Sequence, residues 1–149
     1  MESYYFDTSA LVKLYLREPG SQEAARLAEA SPNPRLYASA LARIEGRSAF
    51  RSLARRQEIP TTAADELVAR LGRDLDDIFL LQPVSDSVLH LAGLLLDRRA
   101  LRAYDAVQLA SCLLLAAGPD PPCFVCSDRA LLRAAEEEGL RCIDPAGGG

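Results

Sequence analysis

Apolar positions in this chain fall into short runs that alternate with amphipathic stretches. Tyr4-Tyr5-Phe6, Leu36-Tyr37-Ala38, Ile78-Phe79-Leu80-Leu81, Phe124-Val125-Cys126 and Arg141-Cys142-Ile143 each read as a short strand. Between them the spacing and the cap residues predict helices. Thr8-Ser9 starts a helix that runs to Leu16 and is stopped by Glu18-Pro19-Gly20, after which Ser21 caps Gln22–Ala30. Ser39 caps a long helix, Ala40–Arg56, and Pro60-Thr61-Thr62 opens another that ends near Asp76. Ser85 or Asp86 caps a helix through Leu96, a further helix begins at Tyr104-Asp105, and the last spans Asp128–Glu138. Ser31-Pro32-Asn33-Pro34 and Gly118-Pro119-Asp120-Pro121-Pro122 are breaks.

Short apolar strands separated by helices predict an α/β fold: a central, mostly parallel five-stranded sheet covered by helices on both faces, a three-layer sandwich. The 149 residues suit one domain, 1–149, with a hydrophobic core and no internal repeat. Gly147-Gly148-Gly149 is expected to be a disordered tail. The apolar stretches are too short to cross a bilayer. No signal-peptide pattern opens the chain, so it is expected in the cytoplasm, away from membranes.

In open parallel sheets, functional residues gather beyond the carboxyl ends of the strands. Asp7 follows the first predicted strand and Asp128 the fourth; Asp105 stands at a helix start and Glu45 within the long helix. Capping alone explains any single Asp at a helix start. Glu45 is harder to dismiss, because it shares a face with Leu41, Ala42, Ser48, Ala49 and Ser52 that is expected to pack inward. Several carboxylates in one crevice repel each other unless a cation holds them. The joint pattern therefore points to a divalent-metal site built from oxygen ligands, and so to phosphodiester chemistry.

Charge refines this picture only a little. The net charge of −4 argues against a broad nucleic-acid-binding surface but not against a nuclease, whose metal-holding carboxylates count as negative. Lys13, the sole lysine, and Arg102, close before Asp105, are placed to reach phosphate at the mouth of the crevice. Arg43, Arg47, Arg51 and Arg55 recur every four residues as either a solvated face or a phosphate-tracking ridge. Cys112, Cys123, Cys126 and Cys142 lie in apolar segments and read as small buried hydrophobes; Cys123 and Cys126, three apart on a strand, face opposite ways.

The blocks Tyr5-Phe6-Asp7-Thr8-Ser9-Ala10-Leu11-Val12-Lys13-Leu14-Tyr15 and Leu101-Arg102-Ala103-Tyr104-Asp105-Ala106-Val107-Gln108-Leu109-Ala110 resemble the first and third motifs of PIN-domain proteins, and more narrowly of VapC-type ribonuclease toxins. Glu45 and Phe124-Val125-Cys126-Ser127-Asp128 are similar to the second and fourth. The resemblance implies an endoribonuclease that depends on Mg²⁺ or Mn²⁺, with Asp7, Glu45, Asp105 and Asp128 as its acidic quartet and Ser9 in support. Asp7 and Asp105 would be the direct metal ligands. It also implies a homodimer and a cognate small antitoxin protein that covers the site. Gln108 stands where many relatives carry His, and Cys126 where Thr or a small residue is frequent; neither is expected to touch the quartet. A housekeeping RNA-processing nuclease and a non-catalytic PIN-fold binding module share the same residues and stay open. An aspartyl-phosphate enzyme would want a second Asp where Ser9 stands.

Overall fold

The structure, a computed structural model, describes residues 2–30 and 32–147. Its centre is β1 (Ser3–Phe6), four residues that are all buried because both faces of the strand are covered. β2 (Arg35–Ser39) and β3 (Leu80–Gln82) extend the sheet on one side; β4 (Cys123–Val125) and β5 (Cys142–Ile143) extend it on the other. The order is β3-β2-β1-β4-β5, and every pairing is parallel, not merely most of them. The direction of winding thus reverses at β1, which opens a crevice beyond its carboxyl end, between β1 and β4.

Period-two alternation sends neighbouring residues to two separate cores. Tyr4, Phe6, Leu36, Ala38, Cys123 and Val125 face α1 (Thr8–Leu11), α2 (Ser21–Ala28), α3 (Ala42–Arg55) and α4 (Thr61–Asp77). Tyr5, Tyr37, Phe124 and Cys126 face α5 (Asp86–Arg98), α6 (Ala103–Ala116) and α7 (Arg129–Glu137). Cys123 and Cys126 do fall on opposite faces, and all four cysteines are free thiols. On the second face Tyr5 stacks on Phe124 with ring centroids 5.7 Å apart. Burying a ring of this kind contributes about 2–3 kcal/mol.

Several predicted boundaries move, each for a local reason. The first helix is only one α-turn, continued as a 3₁₀ turn over Val12–Leu14. Ser21 does not cap α2: Gly20 does, in a left-handed conformation (φ 94°), while the Ser21 hydroxyl donates to the Leu16 carbonyl. A side chain at residue 20 would also meet the backbone of Pro145 and Ala146 at 2.9 and 2.8 Å. Ser39 belongs to β2, and α3 starts at Ala42, with the Leu41 amide donating to Ser39 Oγ. Ile78 ends α4 rather than starting β3. Ser85 caps α5, accepting from the Val88 amide.

The inward face of α3 is Ala42, Gly46 and Phe50, not the serine-lined face expected. Gly46 lets α4 approach so closely that a Cβ there would lie 2.3 Å from Leu71. Two of the four arginines in the series serve this helix pair: Arg43 binds Asp76 and Arg51 binds Asp65, both across to α4. Gly147 is the last described residue of the tail; Gly148, Gly149 and Ser31 lie outside the described residues. Among the described residues no helix is long and apolar enough to cross a membrane.

Candidate active site

Asp7 begins the crevice. Its amide donates to the Val125 carbonyl at 3.1 Å, which extends the β1–β4 pairing by one rung and fixes where the side chain emerges. Its carboxylate then caps α1: Oδ1 accepts from the Ala10 amide at 3.0 Å and from Ser9 Oγ at 2.7 Å. The other oxygen, Oδ2, faces the Cys126 thiol at 3.5 Å. The residue is buried, with 4% of its surface exposed, and no basic side chain is among these partners. Burial pushes its carboxyl up to about 6, against the opposing pull of the hydrogen bonds from Ser9, Ala10 and Cys126.

Glu45 reaches the crevice from α3. Its Oε1 accepts from Thr8 Oγ1 at 2.9 Å and from Gln108 Nε2 at 2.7 Å. Gln108 is almost fully buried on α6, and its Oε1 accepts from the Tyr5 hydroxyl at 2.7 Å. A continuous polar chain, Tyr5–Gln108–Glu45–Thr8, therefore crosses from the second core to the crevice. The expectation that Gln108 and Cys126 stand clear of the quartet is wrong: one orients Glu45 and the other faces Asp7. Neither contact could be seen in the sequence, because the partners lie 63 and 119 residues away.

Asp105 and Asp128 sit at two helix starts, Asp105 in the first turn of α6 and Asp128 as the cap of α7. Asp128 Oδ1 accepts from the Leu131 amide at 3.1 Å. Arg102 joins the two acids, with Nε 3.4 Å from Asp105 Oδ2 and a terminal nitrogen 3.5 Å from Asp128 Oδ2. Asp105 is held above the ordinary carboxylate range, by burial first and then by the Asp128 charge, although Arg102 opposes both. Lys13 takes no part. It is buried, and its ammonium is held by Glu18 at 3.0 Å and the Pro19 carbonyl at 2.8 Å, which steadies the loop before α2.

A fifth acid escaped the sequence reading. Asp144 follows β5, the next strand end along the same sheet edge, and accepts from Ser127 Oγ at 3.0 Å. Ser127 in turn donates its amide to Ser9 Oγ, so Ser9 links Asp7 to this outer acid. The signal was present, since Asp144 also follows an apolar run.

An oxygen-rich, acidic donor set of this kind fits a hard divalent cation. The better argument is Asp7 itself, a buried carboxylate with no cationic partner among the described residues. The shell is nevertheless open: among the described residues no three Asp, Glu, His or Cys side chains converge on one point. Arg102 draws Asp105 and Asp128 together, while Gln108 and Thr8 hold Glu45.

Solved structures share this architecture. The chain superposes on the FitAcB structure from Neisseria gonorrhoeae with a TM-score of 0.72 at 16% identity, over 97% of this chain and 99% of that one. A toxin–antitoxin complex from Klebsiella pneumoniae gives 0.65 at 19% identity, covering 95% and 97%. FitAB bound to an IR36 DNA fragment gives 0.70 at 15% identity, covering 98% and 97%. At such identities the likeness speaks for the fold. No curated protein matches the chain. The PIN-domain family model matches residues 4–137, nearly the whole sheet and its helices, and the chain belongs to the PIN-domain family.

Proposed function

We propose that this protein is a divalent-metal-dependent endoribonuclease of the VapC type, the toxin of a toxin–antitoxin pair. The observation that carries the reading is Asp7, a buried carboxylate at the end of the central strand with no basic partner among the described residues. Asp105 and Asp128 share Arg102, and Glu45 accepts a hydrogen bond from Thr8, the residue that follows Asp7, which supports reading the four acids as one set. The PIN-family match and the toxin–antitoxin complex among the similar folds support the choice of class.

In this reading Asp7 and Asp105 hold Mg²⁺ or Mn²⁺, with Glu45 and Asp128 at its margin. When bound, the ion supplies an activated water and neutralises charge that develops on the phosphate. The chain does the positioning. Ser9 and the Ala10 amide fix Oδ1 of Asp7, and the Cys126 thiol holds Oδ2 more weakly, at 3.5 Å. Thr8 and Gln108 fix one oxygen of Glu45, leaving its second oxygen to accept a proton or orient water. Arg102, strongly exposed, can leave its two carboxylates for a phosphate oxygen. In-line attack by water leaves a 5′-phosphate and a 3′-hydroxyl. A cognate small antitoxin covers the crevice and the active species is a homodimer.

Incubating a mixed structured-RNA pool with the purified, antitoxin-free protein in Mg²⁺, Mn²⁺ or EDTA, beside Asp7→Asn, tests this. Metal-dependent cutting that vanishes in the variant supports it. A 2′,3′-cyclic phosphate end would instead mean attack by the ribose hydroxyl, and the water mechanism would be wrong.

A further inference from the structure

Beside the acidic crevice lies a cavity that shares Thr8 and Glu45 with it and whose apolar walls the phosphodiester chemistry leaves unused. The cavity, of about 360 Å³, is lined by Thr8, Ile44, Glu45, Ser48 and Tyr104. Its volume falls at the lower end of the range for small-molecule sites. Two of its walls are large apolar groups left in solvent: Ile44 and Tyr104 are each 58% exposed. The other three lining residues are polar, and Glu45 belongs to the candidate active site. Because Glu45 and Thr8, the neighbour of Asp7, line the cavity, an occupant lies beside the candidate active site.

Exposed aromatic rings beside a polar floor suit a flat ligand that stacks through its face and hydrogen-bonds through its edge. An apolar protein side chain suits the walls equally but not the floor, because it would strip water from Glu45 and Ser48 without replacing those hydrogen bonds. Charge agrees with a polynucleotide. Arg102, with its side chain 82% exposed, stands three residues from Asp105, where the phosphate that follows a seated base would run.

From this geometry we infer that the Tyr104–Ile44 cavity is a nucleobase subsite that seats one unpaired base of the RNA beside the cleavage point, with Tyr104 as its stacking platform. The inference rests on the ribonuclease reading of the adjacent crevice. The base hydrogen-bonds through its edge to the Ser48 hydroxyl, which both donates and accepts, while Glu45 stays engaged in the reaction. Tyr104 is therefore a determinant of where the chain is cut, not of whether it can be cut.

The test uses the full-length protein carrying Asp7→Asn, which binds without cutting, with Mg²⁺ present. Its probes are short unstructured oligoribonucleotides with 2-aminopurine at successive positions, each with an abasic counterpart. The expected result is tight binding with fluorescence quenched at one position. Adding Tyr104→Ala weakens binding by about 5- to 150-fold, the range of one lost aromatic–base stack, and abolishes the quench. Tyr104→Phe keeps both, and the abasic probe binds the Tyr104 protein as weakly as the intact probe binds Tyr104→Ala. If the oligonucleotides bind but Tyr104→Ala binds equally well, the subsite is wrong, the cavity is left to a protein partner's side chain, and the ribonuclease reading stands. If the Asp7→Asn protein binds no oligonucleotide at all, both readings fall.

Discussion

Replacing Asp7 by Asn is expected to stabilise the metal-free protein near neutral pH while destroying its activity. The folded protein holds this carboxyl near 6 against an ordinary 3.8, and burial is the main cause. A carboxyl raised in the folded state favours folding fully only while it is protonated in both states. That contribution is lost as pH climbs from about 4 through about 6. The gap of about 2 pH units corresponds to about 3 kcal/mol of strain at pH 7. Asn keeps an acceptor for the Ser9 hydroxyl and the Ala10 amide, so the α1 cap survives while the buried charge goes. For a chain of this length, 3 kcal/mol is about 6–12 °C in Tm. The assay is thermal or urea unfolding in EDTA at pH 4 and pH 7 for both proteins. Asn and Asp should be alike at pH 4 and separate at pH 7, with Asn the more stable. Saturating Mn²⁺ should close the gap by stabilising only the parent. If Asn is the less stable at pH 7, or if the two proteins share one pH profile, Asp7 is not a strained, cation-seeking group.

Other expectations follow from the same geometry. Asp105→Asn should abolish cleavage with the fold intact by circular dichroism, and an unchanged rate under saturating metal would place the site elsewhere. Asp128 has two roles that substitution can separate: Asp128→Ser keeps a cap on α7 and should cost little stability, whereas Asp128→Ala loses about 1 kcal/mol in urea unfolding, and both should fail to cleave. Gln108→Leu leaves the buried Tyr5 hydroxyl without its acceptor and should cost about 1–3 kcal/mol; adding Tyr5→Phe should recover part of that, measured as a double-mutant cycle. Cys126→Ser puts a stronger donor against Asp7, should bring its carboxyl back toward the ordinary range, and should therefore shrink the loss of metal-free stability between pH 4 and pH 7 in the same unfolding series.

The fold was largely readable because short apolar strands and helix-period segments carry their own periodicity. Asp7 and Asp128 were readable for the same reason, since strand ends locate themselves. What stayed hidden were contacts that join distant segments. Nothing local tells that Gln108 spans Tyr5 and Glu45, or that the Cys126 thiol lies against Asp7. Ser21 and Ser39 carry the chemistry of cap residues, yet tertiary context uses both hydroxyls differently. Lys13 has a charge suited to phosphate, but a loop three residues beyond its own 3₁₀ turn encloses it. Arg43 and Arg51 repeat like a ligand-binding ridge and instead clamp two helices together.

The division of the interior into two separate cores has a consequence for synthesis. Glu45 stands on α3 in one layer, whereas Asp105 and Asp128 stand at helix starts of the other, joined across the sheet and by the Gln108–Glu45 hydrogen bond. Neither layer alone assembles the crevice. Because β4, which pairs with β1 and leads into Asp128, lies in the last third of the chain, a ribosome must release nearly all of the polypeptide before Asp128 can join Asp105 across Arg102. On the toxin reading proposed above, a nascent or truncated chain would lack an assembled site, and an antitoxin would have the whole of translation in which to arrive.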